Sequence, residues 1–162
     1  MKLRGIVYCL LLSLLSGCGF QLRGSVPMAL KTVFVQAENS PRIAADVSRV
    51  LVEEGVALAP NAKAAQAVIY VRNENLTRRF LSISAVTGRI EEMELNLRVD
   101  LEARTPQNKV LLEPQNLLLL REYSFDQNAI LAKDAEEQVL REELYQDMTA
   151  QVLRRIRAIQ LP

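Results

Sequence analysis

From Met93 to Arg104 apolar and polar residues alternate without a miss. Met93, Leu95, Leu97, Val99, Leu101 and Ala103 fall in one phase; Glu94, Asn96, Arg98, Asp100, Glu102 and Arg104 fall in the other. Successive side chains of a strand point to opposite faces, so this stretch predicts a strand with one dry face and one wet face, typical of antiparallel pairing. Upstream, Val68 to Asn75 and Arg78 to Val86 read as a preceding strand, with a bulge or bend at Asn73–Thr77 and a turn at Thr87-Gly88. Downstream, Thr105-Pro106-Gln107-Asn108 turns the chain again. Leu117 to Phe125 then predicts a third strand, with Leu117, Leu119, Tyr123 and Phe125 in one phase and Leu118 and Leu120 making one end apolar on both faces. Near the start, Thr32-Val33-Phe34-Val35-Gln36 is a short, mostly apolar run that suits a strand buried on both sides.

Two stretches carry the longer helical period instead. Ser40-Pro41 supplies a hydroxyl cap and a proline at the first helical position, and Ile43, Val47, Val50 and Leu51 form one apolar stripe up to the stop at Gly55. A second helix is predicted from Asp134, with Glu137 completing a capping box, through the stripe Leu140, Leu144, Met148, Val152, Ile156 and Ile159. It would run roughly 39 Å at about 1.5 Å per residue, and Arg154, Arg155 and Arg157 suit the negative end of its dipole. The order is strand, helix, three meandering strands, helix. Two amphipathic helices on one face of a four-stranded, largely antiparallel sheet bury every stripe, so the expected fold is an α+β two-layer sandwich.

Composition narrows the function. The chain has 162 residues, and hydrophobic types make up 49% of them with no tryptophan, which predicts one compact domain with an aliphatic core. Lys and Arg number 20 against 19 Asp and Glu. That balance argues against a general nucleic-acid binder, which is strongly basic. The absence of histidine removes the commonest metal ligand and general base, and no Ser-x-x-Lys motif or glycine-rich phosphate loop is present. Glu91-Glu92 and Glu136-Glu137 are the remaining acid pairs, and adjacent acids at solvent-facing positions ordinarily do no chemistry. No enzyme, metal or cofactor is expected; a lipid-anchored hydrolase using carboxylates would need a convergent pair of acids.

The N-terminus changes the picture more. Lys2 and Arg4 precede an apolar run from Ile6 to Leu15, too short for a membrane span of about 20 residues but suited to an export signal. Leu15-Ser16-Gly17 directly before Cys18 resembles the lipobox of bacterial lipoproteins. That resemblance implies removal of residues 1–17, a diacylglycerol on the Cys18 sulfur and an acyl chain on its amine. Several chains hold a protein durably where one does not, since each buried methylene adds about 0.8 kcal/mol. Cys9 would leave with the signal and Cys18 would be blocked, so no internal disulfide is expected. Gly19 follows the cysteine where lipoproteins kept at the inner membrane usually carry aspartate, which favours the outer membrane. Residues 18–31, with Gly24 and Pro27, read as a lipidated tether reaching at most about 45–50 Å, and residues 32–162 as the domain.

Cys18-Gly19-Phe20-Gln21-Leu22-Arg23-Gly24 resembles the opening of the LptE family of lipopolysaccharide-assembly lipoproteins. Further agreement lies in Ser48-Arg49 to Gly55-Val56, in Arg121-Glu122-Tyr123-Ser124-Phe125-Asp126, in Leu131-Ala132-Lys133-Asp134-Ala135-Glu136 and in Glu143-Leu144-Tyr145-Gln146-Asp147-Met148. The resemblance implies a one-to-one complex with the outer-membrane barrel LptD, as plug and assembly factor, with direct lipopolysaccharide binding and delivery to the outer leaflet. A large barrel has a polar interior, which the wet face of the sheet would suit; plain solvation would suit it equally.

Lipopolysaccharide presents phosphates and acyl chains, so its site should combine cations with apolar surface. The hairpin offers Arg72, Arg78, Arg79 and Arg89 against Glu74, with Phe80, Leu81 and Ile83 alongside. Protection of an edge strand is the structural alternative for those charges. Lys133 matches a basic position of the family motif and lies at the helix entrance, where a cation opposes the dipole. Relatives tend to place a basic residue just before the turn glycine; here Val86-Thr87 precede Gly88 and Arg89 follows. The candidate lipopolysaccharide residues are Lys133, Arg78, Arg79 and Arg89, and Lys133→Glu with Arg79→Glu is expected to weaken binding without unfolding. A competing reading is a periplasmic auxiliary lipoprotein of another envelope transport complex.

Overall fold

A computed structural model of the chain describes residues 28–161. Cys18, the signal and the first part of the expected tether lie outside them. The elements run β1 (Thr32–Glu38), α1 (Pro41–Glu53), β2 (Ala57–Leu58), a 3-10 turn (Ala62–Ala64), β3 (Ala67–Ile83), β4 (Ile90–Arg104), β5 (Val110–Ser124), a second 3-10 turn (Gln127–Ala129) and α2 (Ile130–Arg157). One sheet holds all strands in the order β2-β1-β3-β4-β5.

The α+β class with two helices is as the pattern predicts, but the sheet is five-stranded and mixed rather than four-stranded and largely antiparallel. β1 lies parallel to both β2 and β3, while β3, β4 and β5 form an antiparallel meander. The physical reason is the crossover. A helix between two strands carries the chain back to its starting end, so the next strand enters beside the first and parallel to it. β2 has only two residues, both exposed, and leaves no periodic trace in the sequence.

The dry face of β4 is as dry as its alternation predicts: Met93, Leu95, Leu97, Val99, Leu101 and Ala103 are all buried. They pack against Ile43, Val47 and Leu51 of α1 and Leu144, Met148, Val152 and Ile156 of α2. Leu30 joins the same core, so the expected tether ends inside the packed domain. The other face departs from simple wetness. Glu94 and Glu102 are buried there beneath arginines, Arg79 on Glu94 at 2.6 Å and Arg72 on Glu102 at 3.1 Å, with Arg104 also on Glu102.

Gly55 closes α1 with φ +84°, where the Val56 amide donates to the Leu51 carbonyl and the Gly55 amide to that of Val52. This is the Schellman arrangement, which favours a residue without Cβ at that position. The other end of α1 is capped differently from expectation. Ser40 gives no side-chain cap; its hydroxyl instead donates to Glu74 Oε2 at 3.0 Å, and the Ile43 amide donates to the same oxygen at 2.9 Å. Asn73 makes this possible. At φ 54° it bulges β3, placing Glu74 under the helix start, and the Glu74 amide bonds the Asn39 carbonyl. An acid at a helix N-terminus gains from the dipole and serves an otherwise orphan amide. Glu74→Ala is therefore expected to cost about 1 kcal/mol, and to lower the melting temperature by several degrees. An unchanged melting curve would remove Glu74 as the cap.

The bulge has a second effect. Ile69 and Val71 face the helices before it, whereas Leu76, Arg78 and Phe80 share that face after it, opposite Leu97, Leu95 and Met93. One extra residue exchanges the two sides of the strand.

Candidate functional site

The sequence places Arg78 and Arg79 side by side, and the structure puts them on opposite faces of the sheet. Period two requires this of neighbours in a strand. Arg79 is on the outer face, its Nε donating to Glu94, which is 2% exposed. Arg78 is on the helix face, under the first turns of α2.

There it enters a cluster built on one carboxylate. Glu137, 6% exposed, accepts from Arg78 Nη1 at 2.9 Å, from the Tyr123 hydroxyl at 2.5 Å, and from Arg141 Nε and Nη2 at 2.8 and 2.5 Å. Burial alone would raise the Glu137 carboxyl, but the hydrogen bonds from Tyr123, Arg78 and Arg141 outweigh it and hold the pKa at about 2. Burial, reinforced by the bond to Glu137, pushes the Tyr123 phenol up to about 12. Glu137 is thus the anchor of the helix on the sheet, not the second half of a capping box. The helix begins at Ile130, earlier than the expected Asp134, because Asp126 accepts from the Asn128 amide and starts a 3-10 turn that runs straight into it.

Lys133 lies one turn before Glu137 on the same side of α2. Its Nζ bonds Ser124 Oγ at 3.1 Å and Glu136 at 2.7 Å, joining the start of the helix to the end of β5. Those bonds supply a structural reason for a cation at a helix entrance. Arg89 sits at the tip of the β3–β4 hairpin, beside an open cavity of about 270 Å³ shared with Thr87, Ile90, Glu91, Phe125 and Asp126. Among the described residues its side chain enters no ion pair.

Lys133, Arg78 and Arg89 therefore belong to one end of the molecule, formed by the hairpin, the end of β5 and the start of α2. Arg79 does not join Arg78 there, being turned to the other face. Arg72 is set apart as well, stacked on Tyr70 and paired with Glu38 and Glu102. Much of the positive excess of the hairpin is thus met by acids from other elements. The same end exposes large apolar side chains: Phe80, Ile83 and Val86 on the hairpin, and Ile130 and Leu131 at the start of α2. Ile130 and Leu131 line a shallow cavity of about 440 Å³ with Asn128, Ala129 and Ala132. Tyr123 carries no local signal for its role, because the carboxylate it bonds lies on another element, whereas Arg141 stands four residues after Glu137 on the same helix, a spacing visible in the sequence. Among the described residues no group of three or more acids, histidines or cysteines could hold a metal ion, and no helix is long and apolar enough to cross a membrane.

The family model described as LptE, lipopolysaccharide-assembly, matches residues 30–156. Among solved structures, an uncharacterized lipoprotein B from Nitrosomonas europaea is 31% identical, with 86% of this chain and 91% of that one covered and a TM-score of 0.75. The rare lipoprotein B from Shewanella oneidensis is 22% identical over 76% of this chain and 91% of that one, with a TM-score of 0.65. A minor lipoprotein from Acinetobacter baumannii is also 22% identical, over 84% of this chain and 100% of that one, at a TM-score of 0.65. The last two show the shared fold. No curated protein sequence matches the chain.

Proposed function

The chain belongs to the LptE, lipopolysaccharide-assembly family, and from that premise we propose that it is a lipoprotein of the outer membrane that binds lipopolysaccharide and works as the one-to-one companion of the LptD barrel. In this reading Cys18 carries the lipid that holds it to the inner leaflet, and the domain sits within the barrel lumen as plug and assembly factor. It acts by binding, with no catalytic step. The observation that carries the lipopolysaccharide part is the meeting of Lys133, Arg78 and Arg89 with exposed Ile83, Val86, Ile130 and Leu131 at one end. Cations suit phosphates and the apolar group suits acyl chains.

The arrangement also revises how binding should be tested. Arg79→Glu would set a third carboxylate beside buried Glu94 and its cross-strand neighbour Glu122, so it threatens folding rather than binding alone. Lys133→Gln with Arg89→Gln is the cleaner pair. It is expected to weaken lipopolysaccharide binding about tenfold at low salt, while Arg79→Gln, on the other face, leaves it within about twofold. Equal losses in both variants would remove the proposed end of the molecule as the site. Purification from detergent-solubilised outer membranes tests the companion: a large barrel protein supports the reading, and recovery with an inner-membrane ATPase complex would favour the auxiliary-lipoprotein alternative.

A further inference from the structure

We infer that the free edge of β3, from Asn75 to Ile83, takes an extended acidic segment of a partner polypeptide as an additional strand. β1 covers this edge only as far as Arg72, opposite Glu38; then Asn39, at φ 51°, turns the chain away into α1. Beyond that point β3 pairs with β4 alone among the described residues. α2 packs chiefly over β4 and β5 and meets this stretch from the face of the sheet, through the Arg78–Glu137 bond. The backbone groups that point away from β4 along these nine residues thus have no strand partner among the described residues.

Proteins usually blunt such an edge with charges, proline, a bulge or a very short strand. This segment, Asn-Leu-Thr-Arg-Arg-Phe-Leu-Ser-Ile, has no proline, and its charges, Arg78 and Arg79, and its bulge between Phe80 and Ser82 protect it only in part. Around them Phe80, Leu81 and Ile83 are 61%, 40% and 59% exposed. Strand addition to a sheet edge takes affinity from backbone hydrogen bonds and selectivity from alternate side chains.

Charge selects the occupant. The segment carries Arg78 and Arg79 and no acid. A second copy pairing about a two-fold axis would bring the two arginine pairs together, which like charges on neighbouring strands oppose. Each arginine already leans on a buried acid from its inner side, Arg78 on Glu137 and Arg79 on Glu94, one on each face. A strand on the outer side fits best with two neighbouring acids, one for each face, followed by apolar residues to meet Phe80 and Leu81. A closed barrel has no strand edge to offer, so the segment belongs to a loop or tail of the partner.

The inference rests on the companion reading above for the identity of the partner, and amide exchange on the full lipidated protein, alone and copurified, separates the two. With a barrel companion bound, the amides within Asn75–Ile83 that point away from β4 are expected to slow by about tenfold or more, while those of Ile69 and Val71, in a strand paired on both sides already, keep their rates. A photo-crosslinking residue in place of Leu81 is expected to capture an acidic stretch. A complex in which residues 75–83 exchange as in the free protein overturns the inference and leaves the companion reading standing. Capture of a basic segment or of a second copy also overturns it. If no barrel protein copurifies and the edge stays unprotected, both fall.

Discussion

Leu97→Asp leaves the domain unfolded at neutral pH. Leu97 has no exposed surface and lies in register between Leu76 of β3 and Leu119 of β5, under both helices. The two arginines on that face, Arg78 and Arg121, stand opposite Leu95 rather than Leu97 and are already paired with Glu137 and Asp147. Burying an unpaired charge costs several kcal/mol even after relaxation, on top of about 2–5 kcal/mol for the lost side chain. Domains of this size are stable by only about 5–15 kcal/mol, so the loss takes most or all of that margin. Circular dichroism and a proton spectrum of the variant decide it. Native dispersion with an unchanged melting curve would mean that the two faces of β4 have been assigned the wrong way round.

Glu137→Gln is expected to destabilise the domain by about 2–3 kcal/mol at pH 7, with the loss vanishing in acid. Its carboxyl is held at about 2 against an ordinary 4.5. A depressed carboxylate contributes stability that is fully present above the unfolded-state value and is lost as pH falls through the folded one. The window therefore runs from about pH 4.5 down to about pH 2. Glutamine mimics the protonated acid, so wild type and variant should converge across that window in urea unfolding experiments. Parallel curves from pH 7 to pH 3 would show that the charge of Glu137 contributes nothing beyond its shape. Amide exchange should locate the damage in the first turns of α2, which Glu137 ties to Tyr123 and Arg78.

The contrast between these two positions shows what is legible in the chain. Leu97 belongs to an alternation of twelve residues that fixes its face without reference to anything distant. The stripes of both helices are equally local, and their side of the sheet follows. The pairing of β1 is not local. Thr32–Glu38 has the composition of a strand, but its parallel neighbours are set by where α1 delivers the chain. Glu137 also reads wrongly from its surroundings: three residues after Asp134 it mimics a capping box, while its partners lie on β3, on β5 and further along α2. Arg78 and Arg79 are the converse case, adjacent in sequence and parted by the thickness of a sheet. A candidate site drawn from neighbouring charges in a strand joins residues that the pleat separates.

The length of β3 carries a further meaning. The chain enters the domain at its base, where the Lys31 amide bonds Gln66, the residue before β3. From there the strand runs 17 residues to Ile83, close to the hairpin tip. At about 3.3 Å per residue that is roughly 50 Å, against about 40–45 Å for a bilayer with its headgroups. On the reading proposed above, a molecule held by its base at one leaflet would be tall enough to present Arg89 and its neighbours at the level of the other. The hairpin would then act as a ruler whose span matches the thickness of the bilayer.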